Sequence, residues 1–433
     1  MTHRANRALK VPALARAEGE GSMRVLVQGD TVTDVRVEIY EPPRFFEAFL
    51  RGRAHTEPPD ITARICGICP VAYQTSACNA VEDACGVTPG GQIAALRRLL
   101  YCGEWVTSHA LHIYLMHAPD FLGYDGVVDL ARSHPAIVQR GLALKRAGNT
   151  LLEAIGGRAV HPETVRIGGF ASVPDAAELR TIAADILRPA LDDALATAEW
   201  VAGFDFPDFT HDHELLALVD GDRYPIERGV PHTSSGLTFP VAEFERHIIE
   251  EPVEHSTARY LRLAGRGRYL TGPTARYALN ADKLSPLARQ VADAAGLPKT
   301  YRNPYRSIVI RAVEVVYALE EALALIEAYQ PPEPASIEVP PVAGTGYGAT
   351  EAPRGVLFHR YSMDADGTIT AARIMPPTSQ NQSCIEDDLR RLVQDRLHLD
   401  DQRLAAECAR AIRNYDPCVS CATHLLSLKV VRS

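Results

Sequence analysis

The 433-residue chain contains no run of about 18 apolar residues, so no membrane-spanning helix is expected. Met1 to Lys10 is basic and polar and lacks the apolar centre of a secretory signal, which points to a cytoplasmic location. Positive charge is not in excess. The 45 basic and 54 acidic side chains leave a net charge of −9, which argues against an electrostatically driven nucleic-acid binder. There is no G-x-G-x-x-G nucleotide loop, no repeat of fixed period and no low-complexity tail. With 46% hydrophobic and 23% charged residues the balance is globular, and a chain this long buries a substantial core without disulfide staples. Against that background nine cysteines stand out. In a large chain expected in a reducing compartment, they suit metal binding or redox chemistry better than a disulfide framework.

The periodicity predicts a mainly α chain with peripheral β-hairpins, an α+β fold. Met23 to Tyr40 alternates apolar and polar residues around Gly29-Asp30, with Val25, Val27, Val35, Val37 and Ile39 facing one way, as a hairpin does. Pro42 and Pro43 end it, and Arg44 to Arg51 reads as a short helix offering Phe45, Phe46, Phe49 and Leu50 to the core. Helical spacing then runs over Gly91 to Met116, over Ala136 to Ile155 with a stop at Gly156-Gly157, over Asp175 to Val201, and over Ser307 to Tyr329. Phe204 to Leu279 suggests short strands and loops, and the five prolines of 331–341 a stiff linker. A second hairpin is predicted over Gly355 to Ile374, turning at Asp366-Gly367. The expected organisation is one large domain. It comprises a hairpin region (1–60), a helical core (61–202), an irregular and helical region (203–341) and a C-terminal hairpin segment (342–424), with a possible extension at 425–433.

Two C-x-x-C pairs lie at opposite ends of the chain: Arg64-Ile65-Cys66-Gly67-Ile68-Cys69 and Asp416-Pro417-Cys418-Val419-Ser420-Cys421. Cysteines three apart can turn both sulfurs toward one point, the way chains grip a soft metal. Structural zinc rings bring their pairs within a few tens of residues, whereas these lie roughly 350 positions apart. A zinc staple joining the termini and a thioredoxin-like redox pair remain open, although neither pair sits in a βαβ pattern. A catalytic thiolate-bound metal is the leading reading.

Both cysteine elements, with the second extended to D-P-C-x-x-C-x-x-H ending at His424, resemble the signatures of nickel–iron hydrogenase large subunits. Gly157-Arg158-Ala159-Val160-His161-Pro162 followed by Gly168-Gly169, and Glu351-Ala352-Pro353-Arg354-Gly355, match two further family elements, in order along nearly the whole chain. This resemblance implies the family's long-helix fold and a NiFe(CO)(CN)2 centre on Cys66, Cys69, Cys418 and Cys421. Cys66 and Cys418 would be terminal on nickel, while Cys69 and Cys421 would bridge to iron. It implies that Arg354, beside Pro353, overhangs the open site as an always-charged fork. Asp120 and Asp416 would hold that arginine, Glu18 would exchange a proton with a terminal cysteine, and Thr378 would hydrogen-bond an iron-bound cyanide. A Mg2+-type ion would sit on Glu47, His424 and the Ile374 carbonyl.

Tyr73, in Pro70-Val71-Ala72-Tyr73-Gln74, stands where the common signature has histidine. That variant resembles the cytoplasmic, heteromultimeric branch that couples hydrogen to NAD(P), including the sulfhydrogenases. The branch implies an iron–sulfur small subunit, diaphorase partners carrying FAD, NAD(P) and further iron–sulfur clusters, and a maturation protease with nickel-insertion factors. Leu425 to Ser433 would then be a processing extension, the alternative being a retained β-like end packed through Leu425, Leu426, Leu428, Val430 and Val431. Cys78, Cys85, Cys102, Cys384 and Cys408 read as inert thiols, and His109, His112 and His117 as structural. A relative resembling the quinone-site subunit of complex I, or a zinc-stapled interaction subunit, are the alternatives. The former lineage lacks the four cysteines.

Overall fold

The computed structural model describes residues 7–11, 13–41, 45–300 and 302–423. Five long helices make the centre: Pro70–Ala84, Gly91–Leu111, Pro135–Gly156, Arg188–Ala202 and Ser307–Glu327. Their buried faces include Leu96, Leu100, Trp105, Leu144, Leu151, Ala194, Ile310 and Val313, a continuous apolar core of the kind helices without a strand partner must build.

The predicted helices are present, with two interruptions. The Gly91 helix passes at Leu111 into a π-helical turn, His112–His117, and the Asp175 helix does so at Ala183–Leu187. The Asp175 side chain caps its helix by accepting from the Ala177 N–H. Gly157, at φ 79, closes the Pro135–Gly156 helix as its sequence suggests.

The first hairpin forms as Gly21–Gln28 and Thr31–Ile39 around Gly29-Asp30, with Val25, Val35 and Val37 buried against Ile385 and Leu389. It gains a third strand, Arg7–Val11, from the basic, polar N-terminal stretch, with Leu9 buried and Val11 partly buried against the same core. Phe49 departs from expectation. The helix is only Phe46–Leu50, too short for one face to hold all its aromatics, and Phe49 is 57% exposed.

The second hairpin, Gly355–Met363 and Ile369–Met375, is joined by Gly344–Ala352 into an antiparallel sheet. That added strand lies directly on the Pro70–Ala84 helix. A Cβ on Gly346 would stand 2.1 Å from the Ala80 carbonyl oxygen, and one on Gly348 would stand 2.3 Å from that of Ser76. Backbone contact at this range fixes where the Pro353-Arg354 turn, between paired Ala352 and Gly355, sits relative to the helix that begins after Cys69. No helix among the described residues is long and apolar enough to cross a membrane.

Candidate metal centre

Cys69 precedes Pro70, the first residue of a helix, and the Cys66–Cys69 loop folds so that the Ile68 and Cys69 N–H groups point at Cys66 Sγ, at 3.3 and 3.4 Å. Buried Glu104 accepts from the Val71 and Ala72 N–H groups at 2.6 and 3.1 Å, capping that helix from below. The C-terminal pair arrives from the other side. Asp416 takes φ 51, a left-handed conformation costly for a non-glycine residue and common where a site dictates backbone direction.

The two ends meet at sulfur. Cys66 Sγ lies 3.5 Å from Cys418 Sγ, Cys69 Sγ 3.6 Å from Cys421 Sγ, and Cys421 Sγ 3.0 Å from Cys418 Sγ, all four side chains being buried and unoxidised. Sharing hydrogens with Cys418 holds Cys66 well below the usual thiol range, whereas burial pushes Cys418 well above it. Four sulfurs this close cannot all ionise unless a cation joins them, and a soft cation suits four thiolates.

Arg354 closes the site above. Its Nε donates to the Asp416 carbonyl at 2.8 Å and one Nη to Asp416 Oδ1 at 3.0 Å, while Nη1, also buried, has no protein partner. Burial works against its charge, but Asp416 and the Cys418, Cys69 and Cys66 sulfurs outweigh that and hold it charged. A buried guanidinium nitrogen without a partner costs free energy unless another group meets it. That orphan, beside four sulfurs, fits a metal centre that brings its own acceptors. Glu18 reaches in from the N-terminal segment, its Oε2 accepting from Cys418 Sγ and from the Ser420 N–H, each at 3.0 Å. Thr378 Oγ1 accepts from the Cys418 N–H at 3.1 Å.

Glu47 is buried and its Oε1 accepts from the Ile374 N–H at 2.9 Å, so two of the expected Mg2+-site residues meet; His424 lies outside the described residues, as does 425–433. Asp120 departs from its expected role. Its carboxylate is taken by Arg413 at 2.6 and 2.7 Å and by Arg16 at 2.5 Å, whereas the carboxylate that holds Arg354 is that of Asp416. Arg413 grips that carboxylate with two nitrogens and Arg16 with one, so both guanidinium partners come from outside the Arg354 turn. Asp120 thus fastens the segment that carries Glu18 to the end of the Asp401–Arg413 helix.

A family model described as nickel-dependent hydrogenase matches residues 44–140 and 304–424. Sulfhydrogenase 1 subunit alpha of Pyrococcus furiosus is 33% identical over 97% of this chain and 98% of its own length. The chain belongs to the nickel-dependent hydrogenase family. The NAD-reducing hydrogenase HoxS subunit beta of Cupriavidus necator is 27% identical over 97% of this hydrogenase and 95% of that one. A solved NAD+-reducing [NiFe]-hydrogenase in the H2-reduced state matches its fold with a TM-score of 0.86, covering 97% of this chain and 100% of that one at 24% identity. The Ni-Fe-Se hydrogenase of D. vulgaris Hildenborough gives 0.76 at 21%, with the same coverage. The chain is a large subunit of this oxidoreductase class.

In this hydrogenase the third motif reaches the site indirectly: His161 Nδ1 meets the Ala63 carbonyl at 2.8 Å and Gln74 donates to that of Pro162 at 2.7 Å, bracing the Cys66 loop on both sides. Tyr73 is buried beside the pair. Burial, then the Cys421 and Cys69 sulfurs, push its hydroxyl well above the ordinary range, so it stays a neutral phenol.

A buried ionic cluster that no sequence motif marks lies beneath the Pro353-Arg354 turn. Arg276 forks onto Glu314 at 2.7 and 2.9 Å, reaches Glu351 at 2.8 Å, donates to the Ala352 and Pro353 carbonyls, and lies over the Trp105 ring at 4.2 Å. His109, read as structural, meets Glu314 at 2.8 Å. The available signals were a carboxylate, Glu104, in an apolar stripe and two charges, Arg311 and Glu314, in the strongly apolar Ser307–Glu327 helix. Removing Arg276 as Arg276→Met leaves two carboxylates buried without their cation. A loss of about 3–5 kcal/mol is expected, read as a lowered urea midpoint of the purified enzyme.

The same cluster sets an acid limit. Burial pushes Glu351 up to about 7 and His109 down to about 4, while Arg276 and then His109 overcome burial to hold Glu314 at about 2. Between pH 6.5 and 4.5 the folded chain holds an extra proton on Glu351 and the unfolded chain one on His109, so the two effects cancel. Below pH 4.5 only the unfolded chain protonates Glu314, and stability falls toward pH 2 by up to about 1.4 kcal/mol per pH unit from this group. Melting curves of a Glu314→Gln variant should lose that part of the acid slope.

Proposed function

We propose that the four cysteines hold a nickel–iron centre with carbon monoxide and cyanide on the iron, and that this chain uses it to cleave H2 reversibly into protons and electrons. The observation carrying this reading is the buried four-sulfur cluster capped by the unpartnered Arg354 Nη1. When bound, the bimetallic group supplies the two-electron chemistry at the H–H bond. The protein supplies the rest. The thiolates of Cys66, Cys69, Cys418 and Cys421 would hold the group as soft, electron-rich donors. Arg354, fixed by Asp416, presents Nη1 to the open side, where a permanent cation can orient the substrate and an iron-bound cyanide. Thr378, whose Oγ1 meets the Cys418 N–H, and Pro353, beside Arg354, would face the iron's diatomic ligands. Glu18 carries protons, because its carboxylate bridges buried Cys418 Sγ and a half-buried surface position. A Mg2+-class ion on Glu47, the Ile374 carbonyl and His424 would tie the C-terminal segment to the short Phe46–Leu50 helix.

Electrons must leave through partners. Beyond the four cysteines, burial pushes Cys78 and Cys408 up to about 12 and raises Cys102 and Cys384 as well, and no second group of cysteines gathers for a cluster among the described residues. An iron–sulfur small subunit passing electrons to a cytoplasmic flavin and NAD(P) module completes the reading, and the name of the NAD-reducing relative supports the NAD(P) acceptor. Maturation by a protease and nickel-insertion factors is part of it. The test is metal and infrared analysis of the intact complex. One nickel per large subunit is expected, with carbon monoxide and cyanide bands and with iron in excess of nickel because the partners' clusters add to it; zinc without such bands would refute it.

A further inference from the structure

Away from the four sulfurs, His211, His213 and Asp388 bring one donor atom each to within 4.8 Å of one another. His-x-His sits in extended chain immediately before the Glu214–Val219 strand, and Asp388 belongs to the Pro377–Asp395 helix. Both histidines share one carboxylate oxygen: His213 Nε2 lies 2.8 Å from Asp388 Oδ1, and His211 Nδ1 is bonded to the same atom. The group lines a cavity of about 440 Å³ together with Ser234, Thr274, Arg302 and Tyr415, so water can complete a coordination shell.

We propose that His211, His213 and Asp388 form a binding site for a borderline divalent cation of the zinc class, separate from the hydrogen-splitting centre. Two imidazoles and one carboxylate with open positions are the donor set such ions take, and magnesium or calcium would demand oxygen donors instead. Ligand atoms around a tetrahedral ion with bonds of about 2.0–2.1 Å stand roughly 3.3 Å apart, so the His213–Asp388 contact need open by only about 0.5 Å as the ion replaces the shared hydrogens.

The surroundings supply the outer partners that a metal-bound histidine requires. His211 Nε2, the nitrogen turned away from Asp388, lies 3.4 Å from Asp387 Oδ2, and Asp387 is in turn held by Arg268. That carboxylate–histidine arrangement fixes which ring nitrogen is free to ligate. Asp388 divides its oxygens, Oδ1 for the ion and Oδ2 for the Tyr415 hydroxyl. Tyr415 directly precedes Asp416, so an ion here would fasten the segment whose next residue clamps Arg354.

The experiment is a zinc titration of the intact, nickel-loaded complex after chelator washing, read by metal content and zinc-edge X-ray absorption. One additional zinc per chain is expected, ligated by nitrogen and oxygen only, with no sulfur. His211→Ala, at a partly exposed position, should weaken that binding by more than about 100-fold, beyond the loss from removing an outer partner, while nickel content stays unchanged and reports intact folding. Asp388→Asn should do the same. No additional zinc, sulfur in its shell, or equal binding by the His211→Ala variant would overturn the site and leave a hydrogen-bonded cluster only.

Discussion

Cys418→Ser is expected to abolish H2-dependent dye reduction and to leave the purified complex without nickel. Cys418 Sγ is the meeting point of the site: it lies 3.5 Å from Cys66 Sγ, 3.0 Å from Cys421 Sγ and 3.0 Å from Glu18 Oε2. A serine oxygen is harder, holds its proton at any working pH, and is too small to reach the positions that sulfur fills. The backbone around it would survive, because the Thr378 contact uses the Cys418 N–H and the Val419 N–H bonds the Glu18 carbonyl. The variant should therefore fold and assemble but be empty. Retained nickel with full activity would remove Cys418 from the ligand set.

Glu18→Gln separates metal holding from proton movement. The amide keeps the shape and can still accept from the Ser420 N–H, now at 3.0 Å, so nickel and iron should be retained and the infrared bands should persist. It cannot take a proton, and a positioned acid–base group contributes about 10²- to 10⁴-fold to rate. Dye reduction should fall within that range at full metal occupancy. If it stays within a few-fold of the unaltered enzyme, protons leave by another path. The two variants together distinguish the failures: the first loses the metal, the second keeps it and stalls.

Much of this was legible in the residues. Alternation over Met23 to Tyr40 gave the hairpin because a half-buried strand writes its period directly into sequence. The Cys pairs, Arg354, Thr378 and Glu18 were legible because each sits in a short motif whose members lie a few residues apart, and the structure brings them together. The Arg7–Val11 strand was not legible. It is five residues long and turns only Leu9 and Val11 to the core, an alternation too short to stand out from its basic surroundings. The partner of Asp120 was not legible either, because choosing among Arg16, Arg354 and Arg413 depends on which guanidinium the folded backbone delivers first.

By itself, then, the sequence determined the chemistry: four soft ligands in two pairs, an arginine turn, a carboxylate near each end, and helices long enough to hold them. Only the tertiary structure decided the couplings. It closed a loop of roughly 350 residues so that Cys66 meets Cys418. It pressed Gly346 and Gly348 onto the Pro70–Ala84 helix to aim Arg354. It also gathered Arg276 with Glu314, and His211 with Asp388, from segments that share no motif. The reason is range. Ligand type and helix period are local properties of neighbouring residues, whereas pairing of buried charges depends on burial, and burial exists only once distant segments have packed.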